Sequence, residues 1–507
     1  MKRGILCTSV LWLLAGMTPV DAGELSIGDP APALDVLKWV KGEPVDLAKA
    51  QGERIVVVEF WATWCGPCIA SIPHLTELQH EFGKKGVTII GMTKHDDNNA
   101  QETVEKFVAD QGDKMDYTVA FEQDPTTYDA WMKAAGQNGI PTSFVIDKSG
   151  RVAWIGHPMN GLDEVLEEIV GGTYDIAIAK RVFEIKDKMR EAMFADEHET
   201  RLTLADEWIS LKPADPSPHM TKFRVLSNNL DKPEEALAAA RQAVKLANDK
   251  AETLASIAQQ LLTDDDQHGF NDLAFRAVER ALTLAPDDVD SMIAQFRVLA
   301  AMDRESDAIR SAEQTIKKIK TDPAALARFA RVLSSPPRAE RCTALALEAV
   351  DLAITAEPET VRHLVTKFDI LANCKKDLKA AEAIGRYVVE KAGENDEGLL
   401  NGFAWNLLTA DETKGKFSTL ALAAAERCDT ITDGENWMYV DTLALAKFET
   451  GSRDEAVALQ KQVVILLADK PATEEVLDRL IQFASDQQEG NAGLMRPLIV
   501  IPEPAGD

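Results

Sequence analysis

The stretch that decides the fold reads Trp61-Ala62-Thr63-Trp64-Cys65-Gly66-Pro67-Cys68. An apolar run from Ile55 to Phe60 precedes it, and a helix-like pattern follows from Ile69 to about Phe82. Strand, CxxC and helix in this order suit thiol–disulfide exchange, because a helix start aims N–H groups and its positive dipole end at the first sulfur. The arrangement therefore predicts a stabilised thiolate at Cys65, the form in which a cysteine is nucleophilic.

The second cysteine defines what the pair can do. Cys68 lies one helical turn further on, so it can close a short disulfide with Cys65 or resolve a mixed disulfide with a substrate. Trp64 and Pro67 are expected to shield the pair and to leave Cys65 the more accessible sulfur.

A CxxC motif can also bind zinc or haem or form a purely structural disulfide. A zinc site needs a second pair of ligands, and the remaining cysteines (Cys7, Cys342, Cys374 and Cys428) stand singly. Haem attachment is excluded because Ile69 occupies the His position of CxxCH. Redox exchange is favoured, with a zinc site or a purely structural disulfide as the alternatives.

The length of the chain limits its domain organisation, and its charge limits the classes of partner. A chain of 507 residues is expected to form two or more domains. Its formal net charge of −28 argues against nucleic acid and anionic membrane surfaces as partners.

The first residues have the pattern of a secretory signal. Lys2-Arg3 is basic, Ile5 to Gly16 is apolar, and Val20-Asp21-Ala22 resembles a cleavage site. An uncleaved anchor is the alternative. We expect a cleaved leader over residues 1–22 and export to an oxidising compartment, most simply the periplasm.

The motif carries a resemblance to a known superfamily. The run from Phe60 to Cys68, Pro73, and Gly139-Ile140-Pro141-Thr142 together resemble thioredoxins, and more narrowly the extracytoplasmic TlpA/ResA-like group. The opening Ile27-Gly28-Asp29-Pro30-Ala31-Pro32 is also similar to that group. The resemblance covers roughly residues 23–172 and implies an α/β thioredoxin fold that needs no bound cofactor.

The resemblance also implies roles for residues outside the CxxC motif. Glu59, an acid in an otherwise apolar strand, would be buried and would act as a general base for Cys68; the group usually has Asp there. The Ile140–Pro141 peptide would be cis and would face the cysteines. The expected substrate-binding residues are Trp64, Gly66, Pro67, Ile140 and Pro141.

The apolar pattern predicts the order βαβαβ, a short helix, then ββα for this domain. Leu34 to Val40, followed by the turn Gly42-Glu43-Pro44, predicts a peripheral hairpin. Ser143–Ile146 and Val152–Ile155 predict an antiparallel hairpin around a turn at 147–150. The other predicted elements are strands 55–61, 87–92 and 117–121 and helices 69–82, 100–109, 128–135 and 163–170.

From about Thr173 onward, helical spacing replaces strand-like runs. Small residues recur at offsets of 0, +3 and +7, and successive copies start 34 to 40 residues apart. The pattern resembles tetratricopeptide repeats, which stack into an all-α solenoid with a concave face for proteins or peptides. The clearest copies begin at Ala236, Ala274, Ala346 and Ala421, and weaker ones at Ala308, Ala381 and Ala456.

The predicted domains are therefore a signal peptide (1–22), a thioredoxin-like domain (23–172), a helical repeat domain (173–490) and a C-terminal tail (491–507). Cys428 takes an alanine position of the repeat and should be buried and inert. Cys342 and Cys374 fall at helix ends expected on one edge of the solenoid, so a structural disulfide between them is possible, with two thiols as the alternative.

The sequence thus predicts an exported thiol–disulfide oxidoreductase. Its expected partners are protein disulfides or dithiols, a membrane or exported electron donor, and a protein or peptide ligand on the repeats. The Gly66-Pro67 pairing favours a reductant over a disulfide-donating oxidase. A thiol peroxidase is a rival, although Ala62 stands where that chemistry needs Thr. A binding scaffold with a vestigial redox domain is another.

Overall fold

The computed structural model describes residues 25–489, apart from gaps at 97, 264–265, 267, 336–338, 394–395 and 468–473. The predicted signal peptide and the tail at 491–507 lie outside the described residues. These residues form two compact units, one up to Asp196 and one from Glu197. Among the described helices, none is both long and apolar enough to cross a membrane.

The first unit is built on one mixed sheet of six strands in the order β1-β4-β3-β2-β5-β6. The pairs β2–β3 and β3–β4 are parallel, whereas β2–β5, β5–β6 and β1–β4 are antiparallel. The strands are β1 (Lys38–Lys41), β2 (Ile55–Phe60), β3 (Val87–Lys94), β4 (Thr118–Glu122), β5 (Thr142–Ile146) and β6 (Val152–Gly156).

Helices cover both faces of this sheet, which gives the α/β thioredoxin fold. The helices of this unit are α1 (Leu47–Ala50), α2 (Gly66–Phe82), α3 (Gln101–Gln111), α4 (Thr126–Tyr128), α5 (Leu162–Gly171) and α6 (Ile176–Phe194). Residues of α2, α3 and α5 pack in one core cluster with β2 and β3, and residues of α1 and α6 pack in another. All six residues of β2 are buried, as a strand covered on both faces requires.

Two expectations for this unit change in the structure. The predicted hairpin after Leu34 is wrong, because β1 pairs with β4, about 80 residues away, at the edge of the sheet. The compact unit also continues past Gly172, where the sequence placed the boundary. The helix α6 packs Ile176, Ala179 and Phe183 against the core of the sheet.

The second unit is all helical over its described residues. Its helices are α7 (His198–Leu211), α8 (Ser217–Asn228), α9 (Pro233–Leu246), α10 (Ala251–Gln260), α11 (Phe270–Leu284), α12 (Val289–Ala301), α13 (Glu305–Lys318), α14 (Pro323–Leu333), α15 (Ala339–Ala356), α16 (Val361–Asp369), α17 (Leu378–Lys391), α18 (Glu397–Thr409), α19 (Ser418–Ile431), α20 (Trp437–Glu449), α21 (Arg453–Leu466) and α22 (Glu474–Glu489).

From α8 to α21, consecutive helices pack in pairs, and the repeating alanines lie on the second helix of each pair. Ala274, Ala277 and Ala281 on α11 are fully buried, and Ala346, Ala349 and Ala353 on α15 are as well. Offsets of 3 and 7 return to one face of a helix. Small side chains on that face let the backbones of neighbouring helices approach closely.

The cysteines of this unit are thiols. Cys428 is 1% exposed at an alanine position of α19, as predicted, and burial raises the pKa of its thiol to about 12. The possible Cys342–Cys374 disulfide is not formed, although both residues pack in one hydrophobic cluster. The Cys374 thiol instead donates a hydrogen bond to the carbonyl oxygen of Ser334, which lies 3.4 Å from its Sγ.

Candidate active site

The cysteine pair lies where β2 passes into α2. Cys65 is the N-cap residue of α2, and its Sγ accepts a hydrogen bond from the backbone N–H of Cys68 at 3.2 Å. Pro67 occupies the first turn, where its missing N–H costs no helical hydrogen bond. The structure contains a disulfide between Cys65 and Cys68, with the Cα atoms 5.2 Å apart.

The surface over the disulfide is formed by its immediate neighbours. Both cysteines are nearly buried, Cys65 at 4% exposure and Cys68 at 1%. Trp64, Gly66 and Pro67 are exposed around them. The Trp64 indole N–H donates to the Asp96 carboxylate at 3.2 Å, which fixes the ring beside the pair.

The loop before β5 closes the other side of the site. The Ile140–Pro141 peptide bond is cis, as the sequence resemblance implied. The carbonyl oxygen of Ile140 lies 3.7 Å from Cys65 Sγ. Backbone and sulfur are therefore adjacent, so an extended substrate chain that paired with this loop would pass directly over Cys65.

Glu59 lies on the face of the sheet that α2 covers. Side chains alternate along a strand. Val57 and Trp61 share a core cluster with Cys68, whereas Val58 and Phe60 belong to the cluster on the opposite face. Glu59 therefore points to the side of the cysteines, and the alternative that it points outward to solvent is wrong, because it is only 1% exposed.

Within the part of the chain that the structure describes, neither oxygen of the Glu59 carboxyl has a hydrogen-bond partner. Burial raises its pKa from 4.5 to about 8, because the charged form loses its hydration. This pKa is close to the ordinary pKa of a thiol. The transfer of a proton between the Glu59 carboxyl and a thiol is therefore nearly balanced in free energy.

Three further buried polar groups lie near Glu59, and two of them, Tyr117 and Ser143, were not singled out by the sequence as site residues. The Trp61 indole N–H, the Tyr117 hydroxyl and the Ser143 hydroxyl all lack hydrogen-bond partners in the structure. Ser143 is the direct cross-strand neighbour of Glu59 on β5. Burial is the main cause that raises the pKa of the Tyr117 hydroxyl, and the negative charge of Glu59 raises it further.

Gly91 makes room for this cluster. It is the cross-strand neighbour of Glu59 on β3. A Cβ at Gly91 would lie 3.0 Å from Tyr117 Cε2 and 3.1 Å from Trp61 Nε1, so both rings close over the bare glycine backbone. Only the strand register shows that the two rings approach Gly91. An isolated glycine in an apolar strand is nevertheless a sign that another group comes close to the backbone there.

A buried amide braces the loop that carries the motif. Asn99 is fully buried, and its Oδ1 accepts from the N–H and the hydroxyl of Thr63 at 3.0 and 2.8 Å. Its Nδ2 donates to Thr93 Oγ1 at 2.8 Å and to the carbonyl of Lys94 at 2.6 Å. Asn99 thus ties the residues before Cys65 to the end of β3.

Comparison with known proteins fits this geometry. Residues 26–167 match the redoxin family. ResA of Bacillus thuringiensis, a thiol-disulfide oxidoreductase, is 33% identical over 135 residues, which are 26% of this chain and 70% of that protein.

The chain belongs to the ResA family of thiol-disulfide oxidoreductases.

Two further similarities fall in the same third of the chain. Protein FixW of Rhizobium leguminosarum is 28% identical over 157 residues, which are 30% of this chain and 70% of FixW. A thioredoxin-family thiol:disulfide interchange protein of Chlorobium tepidum is 30% identical, with a TM-score of 0.24, and the match covers 28% of this chain and 96% of that structure. Like other ResA-family proteins, the chain is an enzyme of thiol–disulfide exchange.

Proposed function

We propose that this ResA-family enzyme is exported and reduces disulfides in partner proteins, with Cys65 as the attacking thiolate and Cys68 as the resolving thiol. The observation that carries the proposal is the Cys65–Cys68 disulfide at the N-terminus of α2, on the side of the sheet to which the buried Glu59 carboxyl points. The export proposal rests on the leader-like residues 1–22.

The reaction proceeds in two exchanges. The Cys65 thiolate attacks one sulfur of a substrate disulfide, which forms a mixed disulfide and releases the other substrate sulfur as a thiolate. Cys68 loses its proton to Glu59 and attacks Cys65 Sγ, which releases the second substrate thiolate and forms the Cys65–Cys68 disulfide. Two electrons pass from the enzyme to the substrate, and each substrate thiolate takes up a proton.

The remaining site residues bind the substrate chain. Trp64, Gly66 and Pro67 provide the exposed surface on one side of Cys65, and Ile140 with Pro141 provides backbone on the other. An exported dithiol or a membrane electron donor then reduces the Cys65–Cys68 disulfide and resets the enzyme.

The helical unit is proposed to bind protein or peptide ligands as a tetratricopeptide-like array. The support is the succession of helix pairs with buried alanines at the repeat positions. Such an array would hold a partner protein while the redox unit acts on its disulfide.

The reduction potential of the Cys65–Cys68 pair tests the direction of transfer. The full chain is equilibrated with glutathione buffers, and the two redox forms of the 65–68 segment are counted by mass spectrometry after alkylation. A reductant should have a potential near the thioredoxin value of about −270 mV, whereas a value near about −120 mV would make the enzyme a disulfide donor. Rapid consumption of hydrogen peroxide would instead indicate a thiol peroxidase.

A further inference from the structure

Five exposed arginines lie on the first helices of four of the five helix pairs from α8 to α17, and the exception is α10. We call them the arginine row, and they are Arg224 (α8), Arg297 (α12), Arg328 and Arg331 (α14) and Arg362 (α16). The chain as a whole carries a net charge of −28, so a concentration of guanidinium groups on one face needs an explanation.

Contacts between helices connect the first two arginines of the row across α10. The Nη1 of Arg224 donates to Gln260 Oε1 at 3.2 Å, and the Nη1 of Arg297 donates to Gln259 Oε1 at 2.9 Å. The two glutamines are adjacent on α10. The helix between the two arginines therefore links them through neutral amides.

The row continues onto α14 and α16. Arg328 forms an ion pair with Asp290 at 2.7 Å, and Asp290 shares the face of α12 with Arg297, seven residues further on. Arg331 follows Arg328 by one turn on the same face. Helix α16 packs beside α14, and the positive charges of Arg362 and Arg328 add to burial in lowering the pKa of Arg331.

Most of the positive charge on this face is not neutralised. Of the five, only Arg328 has a carboxylate within 4.0 Å in the part of the chain that the structure describes. The first helices α8, α10, α12, α14 and α16 carry three carboxylates, of which Asp290 pairs with Arg328 and Asp369 acts on Arg331 without an ion pair. The third is Glu252 on α10, so the five guanidinium groups outnumber the carboxylates on the same helices.

We propose that the arginine row binds an extended, acidic segment of a partner protein. This rests on the proposed protein-binding role of the helical unit and adds the chemistry of the ligand. Guanidinium groups bind carboxylates through paired hydrogen bonds. The charge of the whole chain repels long polyanions such as nucleic acids, so a short acidic segment fits the row better.

The spacing of the row sets the spacing of acids in the ligand. Neighbouring packed helices lie about 8–10 Å apart. A polyproline II chain rises about 3.1 Å per residue and completes a turn in three residues. An acid at every third position therefore recurs on one side of the ligand at about the separation of successive helices.

The test uses the full chain and a fluorescein-labelled peptide of repeated Glu-Pro-Pro units, long enough to span α8 to α16. Fluorescence anisotropy should show binding that weakens as salt rises from about 0.1 to 1 M, over which the Debye length falls from about 10 to 3 Å. The same peptide with Gln in place of Glu should not bind.

The variant R297Q/R331Q should bind the Glu-Pro-Pro peptide at least about tenfold more weakly, a loss of about 1.4 kcal/mol. The matched control is R310Q/R386Q, which removes two exposed arginines from the second helices α13 and α17. Circular dichroism and urea unfolding of both variants monitor the fold.

Three outcomes would overturn the proposal. They are equal binding of the Gln peptide, an equal loss in the R310Q/R386Q control, and equally tight binding of a single-stranded oligonucleotide of the same length. The peptide contains no cysteine, so these results are independent of the redox reaction. Exchange with a small-molecule disulfide, measured in parallel, tests the proposed function alone and should be unchanged in R297Q/R331Q.

Discussion

Glu59 in the first unit and Asp441 in the second are both buried carboxyl groups, with exposures of 1% and 4%. Arg479 binds Asp441 through two hydrogen bonds, at 3.1 and 2.7 Å, and Gln460 adds a third at 2.8 Å. Glu59 has no hydrogen-bond partner among the described residues. A buried polar group without a partner is costly, so the contrast separates a carboxyl that supports structure from one that we propose serves proton transfer.

The largest effect should come from the nucleophile itself. Replacing Cys65 with Ser should lower the rate of disulfide reduction by at least about a thousandfold, because a hydroxyl is a far weaker nucleophile than a thiolate. The C428S variant is the control, since Cys428 is buried in the helical unit, and its rate should be unchanged. If C428S lost as much of the disulfide-reduction rate as Cys65→Ser, the reaction could no longer be assigned to the first unit alone.

Breaking the paired carboxyl should destabilise the helical unit. Arg479→Ala leaves Asp441 buried without its cation, and the free energy of unfolding should fall by about 3–5 kcal/mol. Urea unfolding followed by circular dichroism measures the change. The control is Arg386→Ala, which breaks the exposed pair with Glu382 and should cost at most about 1 kcal/mol. Similar small costs would mean that the buried pair contributes no more than a surface one.

Glu59→Gln should lower the rate of the resolving step about a hundredfold at neutral pH, because Cys68 loses its general base. The mixed disulfide with substrate should accumulate, which rapid acid quench and mass spectrometry can detect. Unchanged resolution would show that Glu59 does not move this proton. Glu122 is a buried carboxyl of the same sheet that already accepts from the Thr127 and Tyr128 N–H groups, so Glu122→Gln is the control.

The same substitution should change how stability depends on pH. Below pH 4.5, Glu59 is protonated in both the folded and the unfolded chain. As pH rises toward 8, the unfolded chain releases a proton that the folded chain retains, so the free energy of unfolding of the first unit falls over this window. In Glu59→Gln this contribution should vanish, which urea unfolding of the oxidised protein at pH 5 and pH 9 can measure.

The smallest effect should come from the neighbours of Glu59. Tyr117 and Glu59 do not hydrogen-bond to each other, but they interact electrostatically within the same buried site. Loss of the Tyr117 hydroxyl removes a polar group from the surroundings of the Glu59 carboxylate, which makes its charged form less favourable. Tyr117→Phe should then raise the pKa of Glu59 further, move the pH–rate profile to higher pH and slow resolution about fivefold at pH 7. Tyr128→Phe removes a hydroxyl on the other face of the sheet and should leave the profile in place. If the pH–rate profile of Tyr117→Phe did not shift, Tyr117 would contribute only packing to the site.

The sequence by itself determined the parts whose signals are local. The CxxC pair, the acid in an apolar strand and the alternating apolar residues predicted β2, α2 and the order of elements up to α5. The alanines at offsets of 3 and 7 predicted buried faces on the second helices. Each signal depends on neighbours within a few residues, where the geometry of strand and helix leaves little choice.

The tertiary structure decided everything that depends on contacts between distant residues. It paired β1 with β4, extended the first unit to Asp196 and left Cys342 and Cys374 as thiols. It also brought Tyr117 and Ser143 to Glu59 and aligned arginines from several helices. Strand register and helix packing set these contacts, and both are fixed by the summed burial of many side chains, which no short stretch of sequence contains.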